Sequence, residues 1–460
     1  MNDQVESHDG SGRVPGGATG GAMGDVTGGA AGRMTGRMTG RLAGGVTGRA
    51  LGGARDRALD RRSLLAIAGA TTVGVVWAAN SGGAQVAQAA TPGCTPSPTP
   101  TPTGGASFAV PLDNAPHTRT WMAWPDDATI WNGSGRKSGS RGGPSLTAIQ
   151  GDIARIANTI AKYEPVYLCA NPASAATARR LCTSANVTVI TAIPVNDCWM
   201  RDSGPVFRTD GAGGLDAIGL NFNGWGGHQT YTKDGSVALN VAGYLKVPFT
   251  AAKTSDGTAF VSEGGAIETD GAGTLMATRT SILDPSRNGT MTQAQAESAM
   301  CAAYGAAKVI WFDGYADPAD ITRDHVDATS RFLAVGAGLV QQPNANDPQD
   351  GWYTDATSQL AVLSAATDAK GDPIRTSTIG GPDYNVIRST STSFVGSYAN
   401  YYLCNGAVIS AQFGDTRADA AAKATLQSLF PGRVIEQLNI DNVGAGGGGI
   451  HCVTQPEPKP

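Results

Sequence analysis

The stretch GAGGGGIHCVTQ, residues 444–455, sets a histidine and a cysteine behind four consecutive glycines, close to the end of the sequence. Glycine carries no side chain to hold a second group away from the backbone. A buried structural thiol needs no such approach, whereas a thiol that must meet another molecule does. Cys452 is therefore a candidate nucleophile, beside the commoner fate of an inert buried cysteine. The seven cysteines, at 94, 169, 182, 198, 301, 404 and 452, are dispersed. No CxxC or CxxH pair stands near another, so the spacing argues against a metal site. The five histidines, at 8, 117, 228, 325 and 451, leave a histidine-dependent mechanism few places to sit.

The 460 residues are 41% apolar, enough for a substantial core, and the net charge is −4. The first 90 residues hold nine arginines against six acids, so they carry +3 and the remainder −7. An acidic body argues against nucleic acid and suits a cationic substrate. Residues 1–60 are a Gly/Thr/Arg-rich extension with the short repeat GRMTGRMTGR and nothing to build a core from, and are expected to be disordered. In residues 61–90 the pair Arg61-Arg62 precedes a weakly apolar run from Leu64 to Ala79, with AQA at 87–89. This has the form of a twin-arginine export signal, which implies the twin-arginine machinery as a partner and a secreted or cell-surface destination. An uncleaved anchor is the alternative, although the run falls short of the roughly 20 residues of a membrane span. Residues 91–106 are a Pro/Thr linker, and the catalytic domain is expected over 107–456.

From there strands and helices alternate. SLTAIQGDIARIANTIAKY, with Ser145 as N-cap, TQAQAESAMCAAYG, closed by Gly305, and DTRADAAAKATLQSLF, capped by Asp415 or Thr416, read as helices. PVYLCA, VTVITA, GTLMATRT, KVIWF, RFLAVGAGLV and YYLCNGAVISAQF read as strands, with RVIEQLN as the last. Residues 341–380 read as a long insertion with one helix, SQLAVLSAAT. The class is α/β or α+β, and periodicity takes it no further.

Four stretches set polar residues at strand ends beside glycine: NDCWMRDSGPVF (196–207), FVSEGGAIETDG (260–271), TRDHVDATSRF (322–332) and GGGGIHCVTQ (446–455). Alone, each is weak. Asp202 beside Arg201 reads equally as a surface ion pair. His325 and Asp327, two apart, either share a pocket face or cap a loop. Together, Asp202, Asp327, His325 and Cys452 have one coherent use. Two carboxylates in a pocket repel unless a cation lies between them, and a planar guanidinium presents five N–H donors in a matching fork. Its carbon is resonance-stabilised, so attack calls for a thiolate. A histidine would protonate the departing nitrogen and then activate water.

At these residues the sequence resembles the agmatine deiminases and the bacterial-type peptidylarginine deiminases. The resemblance is carried, in order, by TWMAWP (120–125), WMRDSGP (199–205), NFNGWGG (221–227), EGGAIETDG (263–271), DHVDATSRF (324–332) and GGGGIHCVTQ. It implies the pentein fold, a five-bladed α/β propeller of ββαβ-type modules around a tunnel. It also implies Cys452 as nucleophile, His325 as general acid/base, and Asp202 and Asp327 as the holders of the guanidinium nitrogens. Trp199 would lie along the substrate's stem, with Asn223 and Glu263 as secondary contacts. No metal or organic cofactor is implied. His451 receives no direct role, because neighbours on an extended chain face opposite sides. Ala266 stands where relatives carry polar residues.

The expectation is thus a secreted deiminase turning agmatine into N-carbamoylputrescine and ammonia through a covalent thiouronium. The alternative converts arginine residues of peptides to citrulline. The motifs favour agmatine; the export signal, which fits poorly with cytosolic putrescine synthesis, and the 341–380 segment favour a peptide. An amidinotransferase and a non-catalytic guanidine-binding surface protein are the further readings.

Overall fold

The structure is a computed structural model and describes residues 107–131 and 143–460. The extension 1–60, the twin-arginine-type segment 61–90 and the linker 91–106 lie outside the described residues.

Five small sheets repeat one plan: two antiparallel strands, a helix, and a third strand parallel to the second. Blade one has β1 (His117–Ala123), α1 (Leu146–Ile160), β2 (Val166–Cys169) and an extra strand, β3 (Val187–Ile190). Blade two has β4 (Val206–Thr209), β5 (Leu215–Gly219), α2 (Val237–Leu245) and β6 (Phe249–Ala251). Blade three has β7 (Glu268–Thr269), β8 (Thr274–Thr278), α3 (Gln293–Tyr304) and β9 (Lys308–Phe312). Blade four has β10 (Ser330–Ala334), β11 (Ala337–Gln342), α4 (Gly351–Ala365) and β12 (Arg375–Gly380). Blade five has β13 (Tyr402–Cys404), β14 (Ala407–Gln412), α5 (Thr416–Leu429) and β15 (Val434–Asn439). The antiparallel partner of β1 comes from the other end of the chain, β16 (Gln455–Pro458), so the final strand completes the first blade.

The expected helix signals act as read. Ser145 Oγ accepts from Ala148 N, Asp415 from Ala418 N, and Thr292 and Gln295 form a capping box on α3. Gly305 closes α3 at φ +68°, a conformation glycine adopts without strain. RVIEQLN is a strand, β15, but not the last one. The sequence reading missed β16 because its residues Pro456 and Pro458 argue against a strand; at the edge of the β16-β1-β2-β3 sheet they remove no ladder bond that a central strand would need. The expected domain boundary at 456 falls inside this strand.

The segment 341–380 is not an insertion: it holds the end of β11, all of α4 and β12, the regular parts of blade four. Its helix was under-read because its inner face is partly polar. Asp355 and Gln359 are buried beside Ala356 and Leu363. Gln359 Oε1 accepts from the hydroxyls of Thr329 (2.8 Å) and Ser330 (2.6 Å), while its amide donates to Asp355 (2.6 Å). The helix thus holds the turn leading out of residues 325–329. The longer irregular connection lies after it, over 381–401 between β12 and β13.

The repeat positions the functional residues. Each connection from one blade to the next brings a polar side chain inward: Asp202 after β3, Glu263 after β6, His325 and Asp327 after β9, Asn400 after β12, and Cys452 after β15.

Candidate active site

Asp202 lies on a short helical turn, Met200–Ser203, whose Arg201 N donates to the carbonyl of Cys452 at 3.1 Å. The carboxylate of Asp202 accepts from Gly265 N on Oδ1 (3.1 Å) and from the indole N–H of Trp225 on Oδ2 (3.0 Å). Trp225 reaches it from a left-handed backbone, φ +54°, inside the glycine-rich turn 224–227. His325 opens the tight turn Val326–Ala328 that carries Asp327. Its Nδ1 faces Asp202 Oδ1 at 3.8 Å, and its Nε2 meets Glu263 Oε2 at 3.1 Å. Glu263 is fully buried and gripped by Arg287, with Nε 2.9 and 3.0 Å from its two oxygens.

Gly265 stands where these groups converge. A Cβ at this position would lie 2.8 Å from His325 Nδ1, 2.9 Å from Asp202 Oδ1 and 3.0 Å from Asp327 Oδ2. Only a residue without a side chain lets the three approach. The terminal glycines act alike. A Cβ at Gly448 would run into the Trp199 ring and one at Gly449 into Asn400 Oδ1, so both side chains close directly on the strand of glycines before Cys452.

Cys452 Sγ points at Asn400 Oδ1 (3.4 Å) and Asp327 Oδ2 (3.7 Å). Of the free thiols among the described residues, the other four are buried away from any cavity described here, whereas Cys452 is half-buried and lines one. That cavity, about 280 Å³, is walled by Trp199, Asp202, Trp225, His325, Asp327 and Cys452 in its buried part. Farther out come Asp317, Asp347, Asp350, Trp352 and Tyr384. Among the described residues seven aspartates and no lysine or arginine line it, so its field selects cations. Asp327 is fully buried, yet its Oδ1 has no hydrogen-bond partner among the described residues, an orphaned acceptor of the kind a bound donor would satisfy.

The electrostatics follow from this packing. Burial pushes Asp202 up to about 6, with Asp327 and Glu263 adding to the rise. Burial opposes charge on His325, but Asp202, Glu263 and Asp327 outweigh it and raise the imidazole to about 9. Burial, then Asp327 and Asp202, lift the Cys452 thiol well above its ordinary value. Asp327 is held below the usual carboxylate range: burial works against this, but contacts with His451 and the charge of His325 prevail.

Cys452, His325, Asp202 and Asp327, named from sequence, thus meet around one cavity, and Trp199 forms part of its wall. Asn223 does not line it: its Oδ1 accepts from Gly226 N (2.7 Å) and shapes the turn that presents Trp225. Glu263 does not line it either and stands behind His325. Ala266 is packed in apolar core, so no missing cavity contact arises there. Sequence reading missed Asn400, Trp225, Arg287 and the placement of His451. Asn400 had the weakest signal, lying in SYANYYLCN without an adjacent glycine. Its position as the polar residue of the remaining inter-blade connection was the clue available.

A cation-selecting cavity with an inward thiol, at the junction of five ββαβ modules, defines a guanidine-modifying enzyme of the pentein class. The chain belongs to the Porphyromonas-type peptidyl-arginine deiminase family, whose model matches residues 109–458, and it is a hydrolase acting on C–N bonds of amidines. It is similar to the agmatine deiminase of Pseudomonas aeruginosa (strain LESB58), 31% identical over 376 residues that span 77% of this chain and 96% of that protein. The agmatine deiminase of Stutzerimonas stutzeri (strain A1501) matches at the same identity and coverage, 31%, 77% and 96%. Among solved structures, the agmatine deiminase of Enterococcus faecalis superposes with a TM-score of 0.67 at 28% identity, over 77% of this chain and 96% of that one. The expected pentein propeller is the observed fold.

Gly265→Ala is expected to push the three converging groups apart and lower kcat/KM by about 10²-fold, with an unfolding midpoint near that of the wild type. Steady-state kinetics beside thermal melts check this; undiminished activity would show that the convergence is not required.

Proposed function

We propose that the enzyme hydrolyses agmatine to N-carbamoylputrescine and ammonia through a thiouronium on Cys452. The observation that carries the reading is the orphaned Oδ1 of Asp327, the carboxylate that meets the Cys452 thiol, in a cavity lined among the described residues by seven aspartates and no lysine or arginine. A guanidinium entering it donates to Asp327 and Asp202, while Trp199 offers apolar area to the alkyl stem. The outer aspartates favour a substrate with a second positive charge at its far end. Agmatine has one; an arginine residue in a peptide offers neutral amides there.

The empty site holds a neutral thiol, and the incoming cation reverses the cause. Its charge offsets Asp202 and Asp327, so the thiol proton leaves to solvent as the substrate binds. The thiolate attacks the guanidinium carbon and forms the C–S bond. His325, protonated at neutral pH, gives its proton to the departing nitrogen as the C–N bond breaks and ammonia leaves. Water then attacks the thiouronium and His325 takes one of its protons; the C–S bond breaks as the remaining hydroxyl proton passes to the leaving sulfur, which releases the neutral ureido product and restores the thiol.

Agmatine, free arginine and an arginine peptide, assayed side by side with the purified enzyme for ureido product and ammonia, test the substrate. Agmatine is expected to lead in kcat/KM by about tenfold or more, the worth of one charge-assisted contact. Product from the peptide alone would overturn the ranking, and ammonia released only when an acceptor amine is added would indicate amidine transfer.

The grip also has a pH signature. Asp202 binds the cation only when ionised, so affinity is present above its pKa and lost as pH falls through about 6. With Cys452→Ala, which removes the thiol from the titration, calorimetry is expected to find the agmatine Kd flat near neutrality. Below about pH 6 it should rise about tenfold per unit. A Kd unchanged down to about pH 4.5 would exclude Asp202 from the grip.

A further inference from the structure

His451, set aside on the sequence because it neighbours Cys452, is almost fully buried, and both of its ring nitrogens meet carboxylates. Nδ1 lies 2.7 Å from Asp327 Oδ2 and Nε2 lies 2.8 Å from Asp113 Oδ2. A neutral imidazole has one N–H, and would turn a lone pair on one of these oxygens; the doubly protonated ring donates to both. Residues 450–453 form a turn, and the side chains of 451 and 452 reach the same Asp327 oxygen, the ring at 2.7 Å and the sulfur at 3.7 Å.

The two ends of the ring are unequally needed. Asp113 Oδ2 also meets Arg331 at 2.8 Å and Arg201 at 3.5 Å, so its charge is answered without the histidine. The Asp327 carboxylate feels the charge of His325 but, among the described residues, has no second cationic side chain hydrogen-bonded to it. Among the described residues its Oδ1 has no partner, and its Oδ2 has otherwise only the thiol. The ring itself is fixed in register with Asp327 through Asn400. Asn400 Oδ1 accepts from His451 N at 3.0 Å, and its amide donates to the Asp327 carbonyl at 3.1 Å.

We propose that His451, donating from both ring nitrogens, is a positioning residue for Asp327: it occupies Oδ2, turns Oδ1 alone toward the substrate, and offsets the carboxylate charge that faces the sulfur. The inference deepens the proposed reaction and rests on it for the substrate's place. Its second half concerns the thiol alone. A thiolate 3.7 Å from an uncompensated carboxylate oxygen is repelled, and a cation 2.7 Å from that oxygen relieves the repulsion.

Two amide substitutions separate the ends of the ring. In His451→Asn the amide nitrogen takes the place of Nδ1 and keeps a donor on Asp327; in His451→Gln it takes the place of Nε2 and keeps the donor on Asp113. Each variant is assayed for kcat/KM with agmatine and for the pH dependence of Cys452 alkylation by iodoacetamide, with a thermal melt of each. The Asn variant keeps a donor on Asp327 but not the positive charge, so its kcat/KM is expected to fall less than that of the Gln variant, while its alkylation midpoint rises as well. The Gln variant should lose about 10- to 100-fold, the usual cost of removing an orienting partner, and its alkylation midpoint should rise by about one pH unit. Equal losses in both variants, or a greater loss in Asn than in Gln, would overturn the assignment, as would an unmoved alkylation midpoint in Gln. The alkylation arm uses no substrate. If the wild type failed to turn over agmatine while that midpoint shifted as expected, the reaction would be wrong and the positioning right.

Discussion

Two carboxylates must stay ionised, close together and out of bulk water, with room left between them for the substrate's charge. That constraint shapes the centre of the molecule. Asp202 accepts from a backbone amide and an indole N–H, both neutral, and burial lifts it to about 6 although the charge of His325, 3.8 Å away, works against the rise. Among the described residues Asp327 has a donor on one oxygen and none on the other. Behind them stand two ion chains: Arg287–Glu263–His325, and Arg331 with Arg201 on Asp113 and then His451. Each chain ends in an imidazole that faces the cavity acids. The cost of burying such charges is met only where each has its partners, and one position is kept for a guest.

The fivefold repeat supplies the geometry. No single blade could present this many charges at one point, because a strand offers one face and a short turn one or two side chains. Five inter-blade connections each offer one or two. Their glycines matter for contact more than for flexibility: Gly265, Gly448 and Gly449 let side chains from other connections close on the backbone. The last connection brings the thiol, and β16 then locks that connection into blade one beside the first strand, so the nucleophile's position depends on closure of the ring.

Much of this could be read before any coordinates. The quartet Cys452, His325, Asp202 and Asp327 was legible through the one chemistry that uses all four and through likeness to a family, since each alone reads as readily as an ion pair, a loop cap or an inert thiol; capped helices such as α3 announce their ends. The α/β class was legible and the propeller was not; the fivefold plan entered only through likeness to a family. Helix α4 hid behind the polar inner face made by Asp355 and Gln359, which made blade four resemble an insertion. Strand β16 hid behind two prolines that an edge position tolerates. Asn223 and Glu263 carried the right chemistry for substrate contact, but which polar side chain faces a cavity and which faces its neighbour is decided by packing between distant connections. His451 was set aside by a rule for extended chain, whereas residues 450–453 form a turn. What sequence could not show is that Asp327 lies where both can reach it.

The central claim concerns the orientation of a flat cation. A crystal structure of the Cys452→Ala variant with agmatine measures it most directly. The account expects the guanidinium between Asp202 and Asp327, one nitrogen within hydrogen-bonding distance of Asp327 Oδ1, and the ammonium end outward among Asp317, Asp347 and Asp350. A guanidinium found among those outer aspartates, with Asp327 Oδ1 still unpartnered, would contradict it.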